Sequence, residues 1–146
     1  MKEFFKDIFE YHNYFNQKLI DQLVESEDEL SERTIPLFCH SLNAHQIWNS
    51  RIIEAESFGV QQLHKLNMCY EIDNHNYQTT LKILDNRELS EVVKYQNSKG
   101  TEFQNSIQQI LYHVANHFSH HKGQIISDIR RAGINPIVTD YIFYKR

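Results

Sequence analysis

The sequence predicts an all-α protein, a four-helix bundle with one small β-hairpin before its last long helix. Three observations carry this. Apolar residues recur at helical spacing in four stretches. One stretch near residue 95 changes to short β-like runs around a glycine. The helical stretch after it has clear start and stop signals.

Residues 3–25 read as the first helix. Phe5, Ile8, Phe9, Phe15, Leu19 and Leu23 share one face, with His12 inside the stripe, and Ser26-Glu27-Asp28-Glu29 ends the pattern. The second helix begins after Pro36, or one turn earlier with Thr34 as N-cap and Pro36 in the first turn. It carries Leu37, Phe38, Leu42, Ile47, Trp48, Ile52 and Ile53, and is expected to stop near Gly59. A loop is expected over 59–72, then a third helix over 74–86 capped by Asp73, with Tyr77, Leu81 and Leu84 as its apolar points. Val92–Tyr95 and Thr101–Phe103 flank Asn97-Ser98-Lys99-Gly100, a hairpin pattern in which Gly100 supplies the positive φ. Ser106-Ile107-Gln108-Gln109 has capping-box form and opens the last helix. Arg130 and Arg131 suit its C-terminus, Gly133 suits the C′ position and Pro136 follows. The aromatic tail 137–146 is expected to pack back onto the bundle.

With 146 residues, 40% of them hydrophobic, the chain is expected to form a single domain with a real core. Two cysteines, Cys39 and Cys69, are too few for a disulfide framework and read as small buried hydrophobes. Trp48, Phe4, Phe5 and Phe9 read as core, and His64 and His75 as surface. A net charge of −4 with no clustered basic face argues against nucleic acid. No run approaches the ~20 apolar residues of a membrane span. The N-terminus, acidic by Glu3, is unlike a signal peptide, so the expected location is the cytoplasm.

Nine histidines stand out, four of them between His113 and His121. On the last helix His113, His117 and His121 are four apart. Each such step advances ~40° around the axis, so the three line one stripe, joined by His120 and continued by Gln124 and Asp128. The stripe borders the apolar face of Ile110, Val114, Phe118 and Ile125, and so should point to a neighbouring helix. Imidazoles one turn apart can hold one metal ion, and a catalytic site needs a third protein ligand from elsewhere. His40 and His45 on the second helix and His12 on the first are the candidates, and the helical wheel does not choose between them. The bland alternative is a layer of hydrogen-bonded structural histidines with no metal.

These residues resemble the DinB-like (damage-inducible) family of metal-dependent enzymes. The resemblance rests on His113-x-x-Asn116-His117-x-x-His120-His121-Lys122-Gly123-Gln124, on Tyr11–Asn16, on His40 to Trp48 to Arg51, on Tyr95–Thr101, and on Gly133 to Asp140. It implies a DinB/YfiT-like four-helix bundle, often a homodimer, with a divalent metal on three histidines. The family's second-helix ligand falls eight residues before the Trp, so the implied triad is His40, His117 and His121. His45 stands where the family usually has an acidic residue, His12 where Asn is common, and Lys122 where Arg is usual. These departures leave room for an extra ligand or altered surroundings.

Three neutral ligands leave the metal its full charge, as a Lewis acid for hydrolysis or for favouring a thiolate. Relatives in the wider superfamily use low-molecular-weight thiols such as bacillithiol or mycothiol. By that analogy the expected activity is a thiol S-transferase or a hydrolase acting on a small molecule. The alternative is a non-catalytic, dimeric, stress-related metal-binding module. Asn116 and Gln124 are candidates to orient the ligands, and His45, His113 and His120 to shuttle protons. Imidazole suits zinc and nickel first here, with iron and manganese also open.

Overall fold

The computed structural model describes residues 1–146. Four long helices form the bundle: α1 (Lys2–Glu25), α2 (Thr34–Ile53), α3 (Leu66–Asn86) and α4 (Ile107–Arg131). A 3-10 turn, Glu27–Glu29, follows α1. The strands β1 (Val92–Gln96) and β2 (Glu102–Ser106) lie between α3 and α4, and a last turn, α5 (Tyr141–Tyr144), closes the chain. None of the helices is long and apolar enough to cross a membrane.

Helix α1 packs chiefly on α3, and α2 packs on both α3 and α4. The shared core includes Phe9, Leu19 and Leu23 from α1, Phe38 and Leu42 from α2, Leu84 from α3, and Leu111, Val114 and Phe118 from α4. Burial of those stripes drives the association, since helices in proteins draw most of their stability from packing an amphipathic face. The N-terminal signal of α4 is realised in full. Ser106 Oγ accepts from Gln109 N at 3.2 Å, and Gln109 Oε1 accepts from Ser106 N at 3.0 Å. Gly133 has φ 81°, as its place past the helix end requires.

The hairpin is antiparallel, with Tyr95 opposite Phe103. Its turn is held by Asn97 Oδ1, which accepts from the backbone N–H groups of Lys99 and Thr101, and Gly100 adopts φ 78°. Arg51 fastens the hairpin to α2. Its guanidinium lies 4.3 Å from the Trp48 ring centroid and 4.7 Å from that of Tyr95. The tail packs on α1, where Tyr11 donates to the Thr139 carbonyl and Tyr141 and Lys145 reach Asp7.

Helix α2 starts at Thr34 itself, with Arg33 at the N-cap position. Two further boundaries differ from the sequence expectation by several residues, each for an identifiable reason. Helix α2 stops at Ile53, with Glu54 left-handed at φ 57°, rather than near Gly59. Side chains of the last turns of α2 capture the departing backbone. Ser50 Oγ and Gln46 Nε2 donate to the Glu56 carbonyl, and Gln46 Oε1 accepts from Phe58 N. Helix α3 starts at Leu66, so residues 66–72 are helix rather than loop and Asp73 is not its cap. The Asp73 carboxylate is instead buried and accepts from the side-chain amides of Asn13, Asn16 and Gln17 on α1. Phe5 and Phe9 are core, but Phe4 is 57% exposed. His75 is exposed, whereas His64 is half-buried and bonded to Asn43.

Truncating the fully buried Leu111 to Ala should cost about 2–5 kcal/mol of stability. Ser106→Ala, which removes only the cap, should cost about 1 kcal/mol. Urea unfolding followed by circular dichroism checks both, and the ranking tests whether packing or capping dominates α4.

Candidate metal centre

Helix α4 supplies two imidazoles one turn apart, and α2, packed against it, supplies the third. His40, His117 and His121 each offer a ring nitrogen, and the three nitrogens all lie within 4.8 Å of one another. Ring centroids of His40 stand 5.1 Å from His117 and 5.0 Å from His121. All three residues are half-buried. No carboxylate or thiol joins the group.

Hydrogen bonds fix the tautomers of two of the rings. His121 Nδ1 lies 2.7 Å from Gln124 Oε1, and His40 Nδ1 lies 3.2 Å from the Val60 carbonyl oxygen. Both partners are acceptors, so each Nδ1 carries the proton and each Nε2 keeps its lone pair. His117 Nε2 is 3.1 Å from His121 Nε2, while His117 Nδ1 is buried without a partner. Burial, reinforced by the neighbouring imidazoles, pushes the His117 pKa down to about 4. Burial lowers His121 as well, against the opposing Gln124 bond. Neutral rings are the metal-binding form.

The donor set fits a transition-metal ion. Two imidazole nitrogens at the usual ~2.0–2.1 Å from one ion would stand roughly 3.0–3.4 Å apart. The 3.1 Å between His117 and His121 falls inside that range. The cluster also borders a cavity of about 420 Å³, on which His40 and His121 both open.

The loop 54–65 takes a part that the sequence did not suggest. Asn43, fully buried on α2, donates to the carbonyls of Gln62 at 2.8 Å and Val60 at 3.4 Å, and its Oδ1 lies 2.7 Å from His64 Nε2. That anchors the carbonyl on which His40 is oriented. Asn43 lies sixteen residues before the expected 59–72 loop, and its main partners are backbone atoms that a sequence pattern cannot mark.

The remaining candidates are distributed differently. His113 is exposed, between Trp48 at 5.2 Å and His117 at 5.7 Å between ring centroids. His120 is exposed beside His121 at 4.9 Å. Gln124 touches the cluster and Asn116 lies exposed. His12 and His45 sit apart from the triad, in the core. His45 Nε2 is 2.7 Å from Thr80 Oγ1, its Nδ1 has no partner, and its ring packs against Phe9 and Phe118. His12 stacks on Phe118 and its Nδ1 lies 3.3 Å from the buried Lys122 Nζ. Burial drives Lys122 down to about 8, against the field of Asp73, and drives Asp73 up to about 6.

A family model described as DinB family matches residues 36–146. The chain belongs to the DinB family. Protein DinB of Bacillus subtilis (strain 168) is 22% identical to it over 163 aligned positions, covering 99% of this chain and 95% of that protein. No solved structure matches the chain. His12, His45 and Lys122 are all buried in the core, apart from the His40, His117 and His121 cluster.

Burial holds the His45 pKa at about 3, below its unfolded value, so its contribution to stability is complete above pH ~6.5 and is lost as pH falls towards 3. Asp73, raised on folding, acts in the opposite sense below pH 6 and is present in parent and variant alike. Unfolding free energies measured from pH 7 to 4 should therefore fall less steeply in His45→Asn than in the parent, by up to ~1.4 kcal/mol per pH unit. Parallel curves would show that folding leaves the proton affinity of His45 unchanged.

Proposed function

We propose that the chain is a divalent-metal-dependent enzyme of the thiol S-transferase or hydrolase type, with His40, His117 and His121 holding one ion. The observation that carries this reading is the convergence of three imidazole nitrogens, two of them tautomerically fixed, at the edge of a cavity. An ion bound there supplies Lewis acidity undiminished by ligand charge and stabilises a thiolate or a developing negative charge on the substrate.

The chain's own residues have distinct parts in this reading. Val60 and Gln124 hold the His40 and His121 rings with Nε2 unprotonated. His113 and His120, exposed beside His117 and His121 though outside the cavity lining, are the candidates of this reading to accept or return a proton. Pro36 and Leu37 line the cavity and give it its apolar wall. His45 is assigned to the core rather than to proton transfer, since its bond to Thr80 is buried.

Metal analysis of tag-free protein, purified without added metal, tests the site. One ion per chain is expected, lost in both His40→Ala and His117→Ala. Conjugation of small thiols to electrophiles by the loaded protein then tests the activity. Full metal occupancy with no conjugation or hydrolysis would favour a non-catalytic binding module. A metal-free parent that Zn, Ni, Mn and Fe fail to stabilise thermally would return the histidines to a structural role. Gln124→Leu should keep the fold and weaken metal affinity by about 10–100-fold, measured by chelator competition.

A further inference from the structure

The chain has two cysteines, and the fold brings both to one place. Cys39 lies on α2 and Cys69 on α3, thirty residues apart in sequence, and each is fully buried in the shared core. The strongest influence on each thiol's proton is a contact with the side chain of the other. Their backbone partners are adjacent as well. Cys39 Sγ donates to the His64 carbonyl at 3.7 Å, and Cys69 Sγ donates to the Lys65 carbonyl at 3.6 Å. His64 and Lys65 are the last residues before α3, so the two thiols together hold the end of the loop 54–65.

That loop end is linked to the histidine cluster. His64 Nε2 bonds Asn43 Oδ1, Asn43 donates to the Gln62 and Val60 carbonyls, and the Val60 carbonyl accepts from His40 Nδ1. Cys39 is also the residue before His40. A disulfide carries no S–H, so forming one removes both donors from the loop end. The Lys65 carbonyl keeps the Met68 N–H, whereas the His64 carbonyl has only the Cys39 thiol. A buried carbonyl stripped of its donor is unfavourable, and the loop end would shift to satisfy it.

We propose that Cys39 and Cys69 are a reversible disulfide pair, closed by hydrogen peroxide, and that closure releases the loop 54–65 and with it the His40 ring. The effect on His40 rests on the metal-site reading above; the disulfide and the loop do not. One sulfur attacks the peroxide, forming an S–O bond as the O–O bond breaks, and water leaves a sulfenic acid behind. The second sulfur attacks the first, forming the S–S bond and expelling the oxygen as a second water. The sulfurs lose two electrons to the peroxide, and both thiol protons end in water. Opening of the loop end, the pair's own neighbour, admits the oxidant. Two inert core thiols are the competing explanation, since buried cysteines ordinarily react little. That role predicts no linkage, or oxidation of one sulfur alone.

The full chain, reduced and free of metal, is treated with hydrogen peroxide and digested without reductant. A tryptic species joining Thr34–Arg51 to Leu66–Lys82 is expected, about 2 Da lighter than the two free peptides together. Amide hydrogen exchange over 54–65 should quicken about tenfold in the oxidised chain. Zinc affinity, measured by chelator competition, should fall at least about tenfold. Dithiothreitol should reverse all three changes. Cys69→Ala should respond to peroxide in none of them, and Cys39→Ala provides the same control if the first variant does not fold. Two intact thiols, sulfinic acid without linkage, a disulfide between two chains, or a disulfide with unchanged exchange would each overturn the inference and leave the metal site standing. Faster exchange with unchanged zinc affinity would overturn the link to His40. A reduced chain that binds no zinc would remove the metal reading, and hydrogen exchange would still decide for or against the disulfide and the loop.

Discussion

Helices α2 and α4 meet along an apolar seam that includes Phe38 and Leu42 on one side and Leu111, Val114 and Phe118 on the other. The seam sets how far His40 stands from His117 and His121. An i, i+4 pair on one helix fixes two ring positions, but the third depends on a second helix arriving at the right height and rotation. Side chains of a close-packed core hold that relation to a fraction of an ångström, because sliding one helix past the other would open voids along its length. The cluster is therefore a consequence of core packing, and its precision comes from residues that never touch it.

Two of the three rings are then set by acceptors from outside the seam. Gln124 lies one turn beyond His121 on the same helix, so its position follows from helical geometry. The Val60 carbonyl belongs to a loop, and loops do not position atoms unaided. Here α2 supplies the discipline. Asn43 binds the Val60 and Gln62 carbonyls and His64, while Gln46 and Ser50 bind the Glu56 carbonyl. One helix thus carries both a candidate ligand and the side chains that hold its orienting group, which couples the tautomer of His40 to the conformation of residues 54–65.

The sequence was most legible where a local rule governs structure. The capping box at Ser106, the positive φ at Gly100 and Gly133, and the stripe of α4 each involve residues within a turn or two of one another. Legibility failed where distant partners decide. Asp73 has the chemistry of an N-cap, and a carboxylate at that point reads as a helix start. Three amides on α1, more than fifty residues away, bind it and let α3 run through it. Gly59 reads as a stop for α2, but Gln46 and Ser50 end the helix earlier by binding the backbone that leaves it. The wheel could not choose among His12, His40 and His45 either, because the answer lies in which neighbour each face meets. His40 meets α4 at the cluster, His45 meets Thr80 of α3, and His12 meets Lys122.

His12 and Lys122 form a self-consistent buried pair. An ammonium buried among helices needs an acceptor and an opposing charge. His12 Nδ1 provides the first, the Asp73 carboxylate across the interior provides the field of the second, and the rings of Tyr11 and Phe15 cover the cation at 4.4 and 5.7 Å. His12 can accept only while neutral, and its own burial, with Lys122 and His45 nearby, keeps it so. Protonating His12 would set two cations 3.3 Å apart in the core. The same number of histidines could have served a larger metal site. Instead His12 on α1 accepts from the Lys122 ammonium, while His45 on α2 bonds Thr80 of α3, and both stay apart from the His40, His117 and His121 cluster beside the cavity.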